Sequence, residues 1–392
     1  MKKTLLSSLM IAGLLAGCGG GGGAGNPGNT SGTNTPAAVP VAYLYGLGPS
    51  STSGNVLIAP ILSTGLEPSG GTITSATTGA DPQNEVLVTI GSNHYLYVDD
   101  SNGGQNNQIS VFQVNKTTVT NLGTVTAASD LSDANGSMAY TNGVLYVALF
   151  SGAISTYAVN PDGTLSLLNA AAYTLPNANN PDGIAVDQSR KYLIVSEFAG
   201  GSAWNAISLT IGSGGSLTFN SQVSLSSGGE PLYPFLPDPN TSSGEYLYAF
   251  GPTGLYLATL SASGTITITE NTAIQPSGSN QLGVAWIDPT GTYVYVSNYD
   301  QNTNSDSLSQ YLINADGSVT PGSAPTIQLS SGGIGGNGGN NLYPGFYDTT
   351  DGILMIGYGH SFATFEYNAL NGSLKTLSLN AGYLFNGVLV GY

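Results

Sequence analysis

Short hydrophobic runs separated by polar, glycine-rich stretches dominate this chain. One run of four residues, built mainly from tyrosine, leucine, valine and isoleucine, recurs seven times along the sequence. The seven occurrences are 43–46, 95–98, 144–147, 192–195, 246–249, 293–296 and 353–356. Because a short run of β-forming residues bounded by turn residues is typical of a buried strand, each occurrence predicts one strand of a sheet.

The spacing of these runs predicts a repeat architecture. Consecutive runs begin 52, 49, 48, 54, 47 and 60 residues apart. A period of about 50 residues made of short strands is typical of a radial repeat with one small sheet per unit. In the fourth unit, strands are predicted at 183–187, from Tyr192 onwards, at 206–209 and at 217–219. Each unit is therefore expected to be a four-stranded antiparallel sheet, with strands A to D running from hub to rim.

The two ends of the chain predict how the ring closes. The first unit begins directly with its second strand at Tyr43, and an extra run at 386–392 follows the last complete unit. This C-terminal run is expected to supply strand A of the first unit, which removes open sheet edges. We therefore predict an all-β, seven-bladed β-propeller over 41–392, made of four-stranded antiparallel blades and closed by the C-terminal strand. A sandwich or a barrel is the alternative for the same strands.

Longer motifs around the runs carry a family resemblance. Residues 288–298 read Asp-Pro-Thr-Gly-Thr-Tyr-Val-Tyr-Val-Ser-Asn, and residues 157–165 read Tyr-Ala-Val-Asn-Pro-Asp-Gly-Thr-Leu. With 311–318, these motifs resemble the YVTN-repeat and lactonase-type propellers, and the resemblance covers 41–392. The matching residues are structural, because the tyrosines pack between sheets and the Asp-Gly pairs form turns. The resemblance implies a propeller and says little about activity.

The N-terminus is typical of an export signal. Lys2 and Lys3 precede an apolar run at 5–15, which is about half the length that a helix needs to span a bilayer. A secretory signal peptide is therefore predicted over 1–17. The tetrad at 15–18, Leu-Ala-Gly-Cys, resembles the lipobox of bacterial lipoproteins, which implies lipidation of Cys18. An ordinary signal peptide with an incidental cysteine is the alternative.

Lipidation would decide where the protein resides. Several acyl chains on Cys18 would anchor it stably to a membrane, as a single chain does not. Gly19 stands where an Asp usually implies retention at the inner membrane, which favours the outer membrane of a Gram-negative-type cell envelope. Residues 18–40 are rich in Gly, Asn, Thr and Pro and predict a flexible tether. The side of the membrane is left open.

The charge pattern excludes several classes of ligand. The formal net charge is -16 and only 7% of residues are charged, so the chain lacks the basic surface that nucleic acid requires. The predicted order of strands places the cations at A–B or C–D turns, as it does His94. These cations are Lys116, Arg190, Lys191 and Lys375. No Lys or Arg is then expected at the opposite face, where a central funnel would open, which disfavours a phosphorylated or polyanionic substrate.

The predicted funnel face receives acids and aromatic residues. A catalytic role is expected from His360 as a general base, oriented by a carboxylate such as Glu197 or Glu230. A polar loop residue is the alternative reading of His360. Ligand contacts, including stacking on sugar rings, are expected from a larger set, for which packing between blades is the alternative. This set is Asp182, Trp204, Tyr233, Tyr299, Tyr343 and Tyr358.

Two polar loops have the composition of a cation site. The loop at 300–306 places oxygen-bearing side chains at alternate positions, a spacing that suits a hard ion such as Ca²⁺. The candidate ligands are Asp300, Asn302, Asn304 and Asp306. A looser candidate begins at Asp99 and Asp100. Ordinary Asn-rich turns are the alternative for both loops, and no other cofactor is expected.

Two functions remain open at this point. The first is a lipid-anchored cell-envelope module that binds a glycan or a protein partner at the funnel. It agrees with the tether, the low charge and the aromatic funnel. The alternative is a hydrolase of a neutral lactone that uses His360 and a funnel carboxylate. Neither a nucleophile elbow nor a zinc-binding motif occurs in the sequence.

Overall fold

The computed structural model describes most of the chain from residue 42 onwards. The described residues are 42–48, 55–62, 65–66, 74–78, 82–100, 107–129, 131, 137–176, 181–200, 203–226, 235–239, 245–251, 254–272, 281–288, 290–300, 305–322, 326–328, 342–348, 353–358, 361–368, 370–380 and 388–390. The signal peptide, Cys18 and the tether predicted at 18–40 lie outside them. None of the described segments is a helix long and apolar enough to cross a membrane.

The described residues are almost entirely β-strand, as the hydrophobic runs predict. The first half of the chain forms sheets 1 to 4. Their strands are β1 (Ala42–Gly48), β2 (Asn55–Leu62), β3 (Gly65–Leu66), β4 (Thr74–Thr77), β5 (Pro82–Ile90), β6 (Asn93–Asp100), β7 (Gln108–Asn115), β8 (Thr118–Thr126), β9 (Met138–Thr141), β10 (Val144–Ala148), β11 (Ala153–Val159), β12 (Leu165–Thr174), β13 (Pro181–Val186), β14 (Tyr192–Gly200), β15 (Ala203–Ile211) and β16 (Leu217–Ser226).

The second half forms sheets 5 to 7 and ends with a strand that returns to sheet 1. Its strands are β17 (Leu236–Pro237), β18 (Glu245–Gly251), β19 (Gly254–Leu260), β20 (Ile266–Thr272), β21 (Gln281–Ile287), β22 (Tyr293–Asp300), β23 (Ser305–Ile313), β24 (Val319–Pro321), β25 (Ile327–Gln328), β26 (Leu342–Asp348), β27 (Ile353–Tyr358), β28 (Ser361–Tyr367), β29 (Leu374–Asn380) and β30 (Val388–Val390).

Five of the sheets have the predicted four strands, each paired antiparallel with the next strand in sequence. Two sheets depart from that prediction and have five strands. In sheet 1, β3 and β4 both pair with β2, and in sheet 6, β24 and β25 both pair with β23. In both cases two described pieces take the place of the fourth strand. In sheet 6 a proline ends the first piece, because Pro321, the last residue of β24, has no amide hydrogen to donate to a continuous ladder.

The strand at the C-terminus joins the first sheet, as predicted. β30 pairs antiparallel with β1, with Leu389 opposite Tyr45. The first strands of successive sheets also touch one another in a closed ring, which is the arrangement of a β-propeller. The contacting pairs are β30 with β5, β5 with β9, β9 with β13, β13 with β17, β17 with β21, β21 with β26 and β26 with β30.

The recurring tyrosines join each sheet to the next. In sheets 2, 5 and 6 the third residue of the run is a tyrosine that donates its hydroxyl hydrogen to a glycine carbonyl in the C–D turn of the following sheet. The bonds are Tyr97 to Gly163 at 2.8 Å, Tyr248 to Gly317 at 2.9 Å and Tyr295 to Gly372 at 2.6 Å. The first tyrosine of the run packs on the same turn. A Cβ built on Gly163 would lie 2.1 Å from the Tyr95 ring, so only glycine fits there.

An aspartate at two of the A–B turns fixes the turn that precedes the tyrosine run. Asp288 accepts backbone hydrogen bonds from Thr292 at 2.8 Å and from Tyr293 at 2.7 Å. Asp187 makes the equivalent bonds to Lys191 and Tyr192, both at 2.7 Å. The motif that carries the family resemblance is therefore a turn-forming device, as its residues predict.

Replacing Gly317 by alanine should destabilise the fold strongly. Gly317 has a φ of 80°, and an added Cβ would lie 2.4 Å from the Tyr246 ring. Strain at positive φ and overpacking together should cost about 2–4 kcal/mol. Gly91→Ala is the matched control, because its φ is 62° and nothing lies within 4 Å of the added Cβ. Chemical denaturation of both variants measures the difference, and equal losses would contradict the packing role.

Deletion of residues 386–392 should unfold or aggregate the protein. The deletion removes β30 and leaves β1 without its inner neighbour, which opens a sheet edge. Thermal melting and light scattering of the truncated protein measure the effect. A melting curve equal to that of the parent would show that closure by β30 contributes nothing.

Candidate functional site

The two ends of the strands differ in charge. The lysines and the arginine in the described part of the chain lie at A–B or C–D turns, or one residue into the strand that follows. Lys116 follows β7, Arg190 and Lys191 join β13 to β14, and Lys375 pairs with the exposed Glu366 at 2.8 Å. The opposite end of each sheet, where strand B leads into strand C, is the B–C end. As the sequence predicts, the order of the strands places these cations away from the B–C end.

Glu197 is a fully buried carboxylate at the B–C end. It lies near the end of β14, and its exposed fraction is 0%. Asn205 Nδ2 donates a hydrogen bond to its Oε2 at 2.9 Å, whereas Oε1 has no partner among the described residues. Burial raises the pKa of Glu197, and the Asn205 hydrogen bond opposes that shift in part. A buried carboxylate with a raised pKa and one unsatisfied oxygen is suited to accept a proton.

The backbone register determines what surrounds Glu197. It pairs with Pro181 on the inner strand β13 and with Asn205 on β15. Burial raises the pKa of Tyr173 in sheet 3, and the charge of Glu197 raises it further. Asn205 Oδ1 in turn accepts a hydrogen bond from the exposed Ser224 at 3.0 Å. Hydrogen bonds through Asn205 thus connect the buried Glu197 carboxylate to Ser224 on the outer strand β16.

Asp99 forms a second buried polar cluster at the same end, between sheets 2 and 3. Its Oδ1 accepts from the backbone of Asn84 at 2.7 Å, and its Oδ2 accepts from Ser137 Oγ at 2.5 Å. Burial raises the pKa of Asp99 to about 7, although these hydrogen bonds oppose the shift. The neighbouring Asp100 accepts from Ser110 Oγ at 2.5 Å. These hydrogen bonds tie Asp99 and Asp100 to neighbouring strands, and the cation site proposed for the loop that follows stays a prediction.

The predicted aromatic ligand residue Trp204 lies in the core. Its exposed fraction is 3%, and its ring centroid lies 5.0 Å from that of Phe198. It belongs to the hydrophobic cluster between sheets 4 and 5, together with Phe235 and Tyr256. The structure therefore places Trp204 where it packs between blades. Stacking on a sugar ring stays a prediction.

The other predicted site residues are described by backbone alone or lie outside the described residues. Asp182, Tyr299, Asp300, Asp306, Tyr343 and Tyr358 lie on strands at the B–C end. The register brings Tyr358 opposite Leu342, next to Tyr343, and brings Tyr299 opposite Asp306. The residues outside the described segments are Glu230, Tyr233, Asn302, Asn304 and His360.

The described residues hold no group of three or more His, Cys, Asp or Glu side chains close enough to share a metal ion. The proposed ligands at 300–306 are not tested by this finding, because their side chains are not described. Sequence reasoning missed the partners of the buried acids, namely Asn84, Ser137 and Asn205. Their signal is weak, because a single polar residue in a polar, turn-rich chain does not stand out.

Stability should fall as pH rises through the titration of Asp99. The unfolded chain loses this proton near pH 4 and the folded protein loses it at about 7, so the folded state holds one more proton between these values. The free energy of unfolding should fall by roughly 4 kcal/mol across this pH window. Asp99→Asn removes the contribution and should flatten the curve of unfolding free energy against pH. Glu245, whose pKa burial also raises to about 7, is present in both proteins, so their difference isolates Asp99. Parallel curves would contradict the assignment.

Comparisons with known proteins show the fold. No protein-family profile matches the chain, and no curated protein matches its sequence. A protein from Lactobacillus plantarum of solved structure is 15% identical with a TM-score of 0.66, over 90% of this chain and 99% of the other. A putative 6-phosphogluconolactonase from Bacteroides uniformis is 15% identical with a TM-score of 0.63, over 89% and 99%.

A third similar structure is the periplasmic gluconolactonase PpgL from Pseudomonas aeruginosa. It is 12% identical to this chain with a TM-score of 0.62, over 89% of this chain and 98% of the other. Almost the whole length of each neighbour is matched, so the similarity extends over the entire propeller. At these identities it shows that the chain has the β-propeller fold found in lactonase-like proteins.

Proposed function

We propose that this protein hydrolyses a neutral sugar lactone at the B–C end of its propeller, with Glu197 as the general base. The observation that carries the proposal is the buried carboxylate of Glu197, whose Oε1 has no partner among the described residues and whose pKa is raised by burial. The lactonase names of similar propellers support the reaction class. A binding module does not need such a buried, proton-accepting group.

The proposed reaction needs no cofactor. The Glu197 carboxylate takes a proton from water, and the water oxygen attacks the carbonyl carbon of the lactone. The bond between that carbon and the ring oxygen then breaks, and the ring oxygen receives the proton from Glu197. Lactone and water become one hydroxy acid. His360, which the sequence predicts as a base, is the second residue proposed to exchange protons with the substrate.

The charge of the site defines the class of substrate. The described lysines and the arginine lie away from the B–C end, so a phosphate group on the substrate would have no cationic partner there. Acids at this end would instead repel the carboxylate product and assist its release. We therefore propose an unphosphorylated lactone, in contrast to the phosphorylated substrate named for the Bacteroides neighbour.

We also propose the remaining details of architecture and location. Each sheet, including the two of five strands, is taken as one blade, so that the ring of inner strands has seven members; the ring contacts support this count. Lipidation at Cys18 would hold the propeller at the cell envelope, on the outer membrane, at the end of the tether over 18–40.

Glu197→Gln should abolish most lactone hydrolysis. Glutamine keeps the shape and the bond to Asn205 but cannot accept a proton, so kcat/KM should fall by about 10²–10⁴-fold. Hydrolysis of glucono-δ-lactone, corrected for the spontaneous reaction, is the assay. Glu366→Gln is the control, because that glutamate is exposed and paired with Lys375 at the other end.

The pH profile of the parent enzyme provides a second readout. Because the pKa of Glu197 is raised, the rate should rise with pH through a midpoint above the ordinary glutamate value of about 4.3. The 6-phosphorylated lactone should be the poorer substrate. Full activity in the glutamine variant, with an unchanged melting temperature, would remove Glu197 from the mechanism. Absence of turnover of any lactone would favour the binding-module hypothesis instead.

A further inference from the structure

The contact between sheets 3 and 4 differs from the other described contacts between sheets. Four described runs begin with a tyrosine whose ring lies on the next sheet or its turn, whereas the run in sheet 3 begins with Val144. The glycine that receives the ring elsewhere is still present, as Gly215. A Cβ built on Gly215 would lie 2.8 Å from Val144 Cγ1. Valine is smaller than tyrosine, so this contact has one aromatic ring fewer than its counterparts.

Three buried hydroxyl groups lie on the same face of sheet 3 as Val144. Thr141, Tyr146 and Thr156 are each at most 3% exposed, and their hydroxyl oxygens have no partner among the described residues. The register places them on one face of sheet 3, because Tyr146 pairs with Thr156 and Val144 pairs with Thr141. Gly215 also lies close to Thr156, so this face is the one that meets sheet 4.

Sheet 2 provides the comparison, because it has different residues at three corresponding positions of its contact with the next sheet. Where sheet 3 has Thr141 opposite Val144, sheet 2 has Val88 opposite Tyr95. Where Thr156 lies opposite Tyr146, Val111 lies opposite Tyr97. Sheet 3 therefore replaces a large residue by a small one and two apolar residues by hydroxyl-bearing ones, all at the same contact. Tyr97 also bonds the following turn at 2.8 Å, whereas Tyr146 bonds no described residue.

We infer that a buried water site lies between sheets 3 and 4, formed by the hydroxyls of Thr141, Tyr146 and Thr156. A buried hydroxyl without a hydrogen bond is costly, and buried waters typically bond about three such groups. Val144 stands where other runs have a tyrosine ring, and its smaller side chain leaves room for water. The ligand is water rather than a cation, because the three oxygens are neutral and would not compensate a buried charge. This water joins sheet 3 to sheet 4 where a direct tyrosine bond is used elsewhere.

A high-resolution crystal structure tests the inference directly. Density for one or two ordered waters is expected about 2.8 Å from at least two of the three hydroxyl oxygens. A refined structure with no density at this place would overturn the inference. So would a Tyr146 hydroxyl that bonds a protein carbonyl directly.

Thermal melting of two matched variants provides an independent test. Tyr97→Phe loses a direct hydrogen bond to Gly163, and its melting temperature should fall by about 1–3 °C. If water satisfies Tyr146, Tyr146→Phe should lower the melting temperature by a similar amount, and so should Thr156→Val. If the site is dry, removing an unsatisfied hydroxyl should leave the melting temperature unchanged or raise it. That result would overturn the inference, and it does not depend on the proposed enzymatic activity.

Discussion

The contact between a tyrosine and a glycine turn of the next sheet is the interaction on which the rest of this structure depends. The tyrosine ring needs a position without a Cβ, and its hydroxyl needs a carbonyl at the same place. Together these demands set the distance and the rotation between neighbouring sheets. Because each sheet packs against its neighbours, a contact that recurs at several of these boundaries gives them the same geometry. Closure by β30 then gives β1 the inner partner that every other sheet has in sequence.

This architecture separates two kinds of chemistry. Turns between strands A and B and between strands C and D carry the glycines, the turn-forming aspartates and the described cations. The opposite end carries acids buried between sheets, of which Glu197 and Asp99 have raised pKa values. Hydrogen-bond donors partly offset the cost of burying each acid. Glu245, at the start of β18 at the A–B end, also has a pKa raised by burial, so the separation holds for the cations and not for every buried acid.

Much of the fold could be predicted because its signals are local. The tyrosine runs, the Asp-Gly turns and the extra C-terminal strand each occupy a few consecutive residues, and period and register follow from them. The two-piece outer strands of sheets 1 and 6 were missed, although Pro321 signals the one in sheet 6. The candidate site was predicted less well. Glu197 was named, but neither its partner Asn205 nor the bond from Ser137 to Asp99 has a sequence signal, because these pairs meet only after the sheets form.

The sequence by itself determined which segments are strands, how they follow one another and which end of each sheet receives the cations. These properties depend on residue type and on short-range order. The tertiary structure alone decided which polar groups are buried and which of their atoms find partners. Burial and hydrogen bonding between residues such as Tyr97 and Gly163, 66 positions apart, depend on how two sheets approach each other. The pKa values of the buried acids also depend on how the sheets approach each other, because desolvation shifts a pKa only when the whole environment of the group is in place.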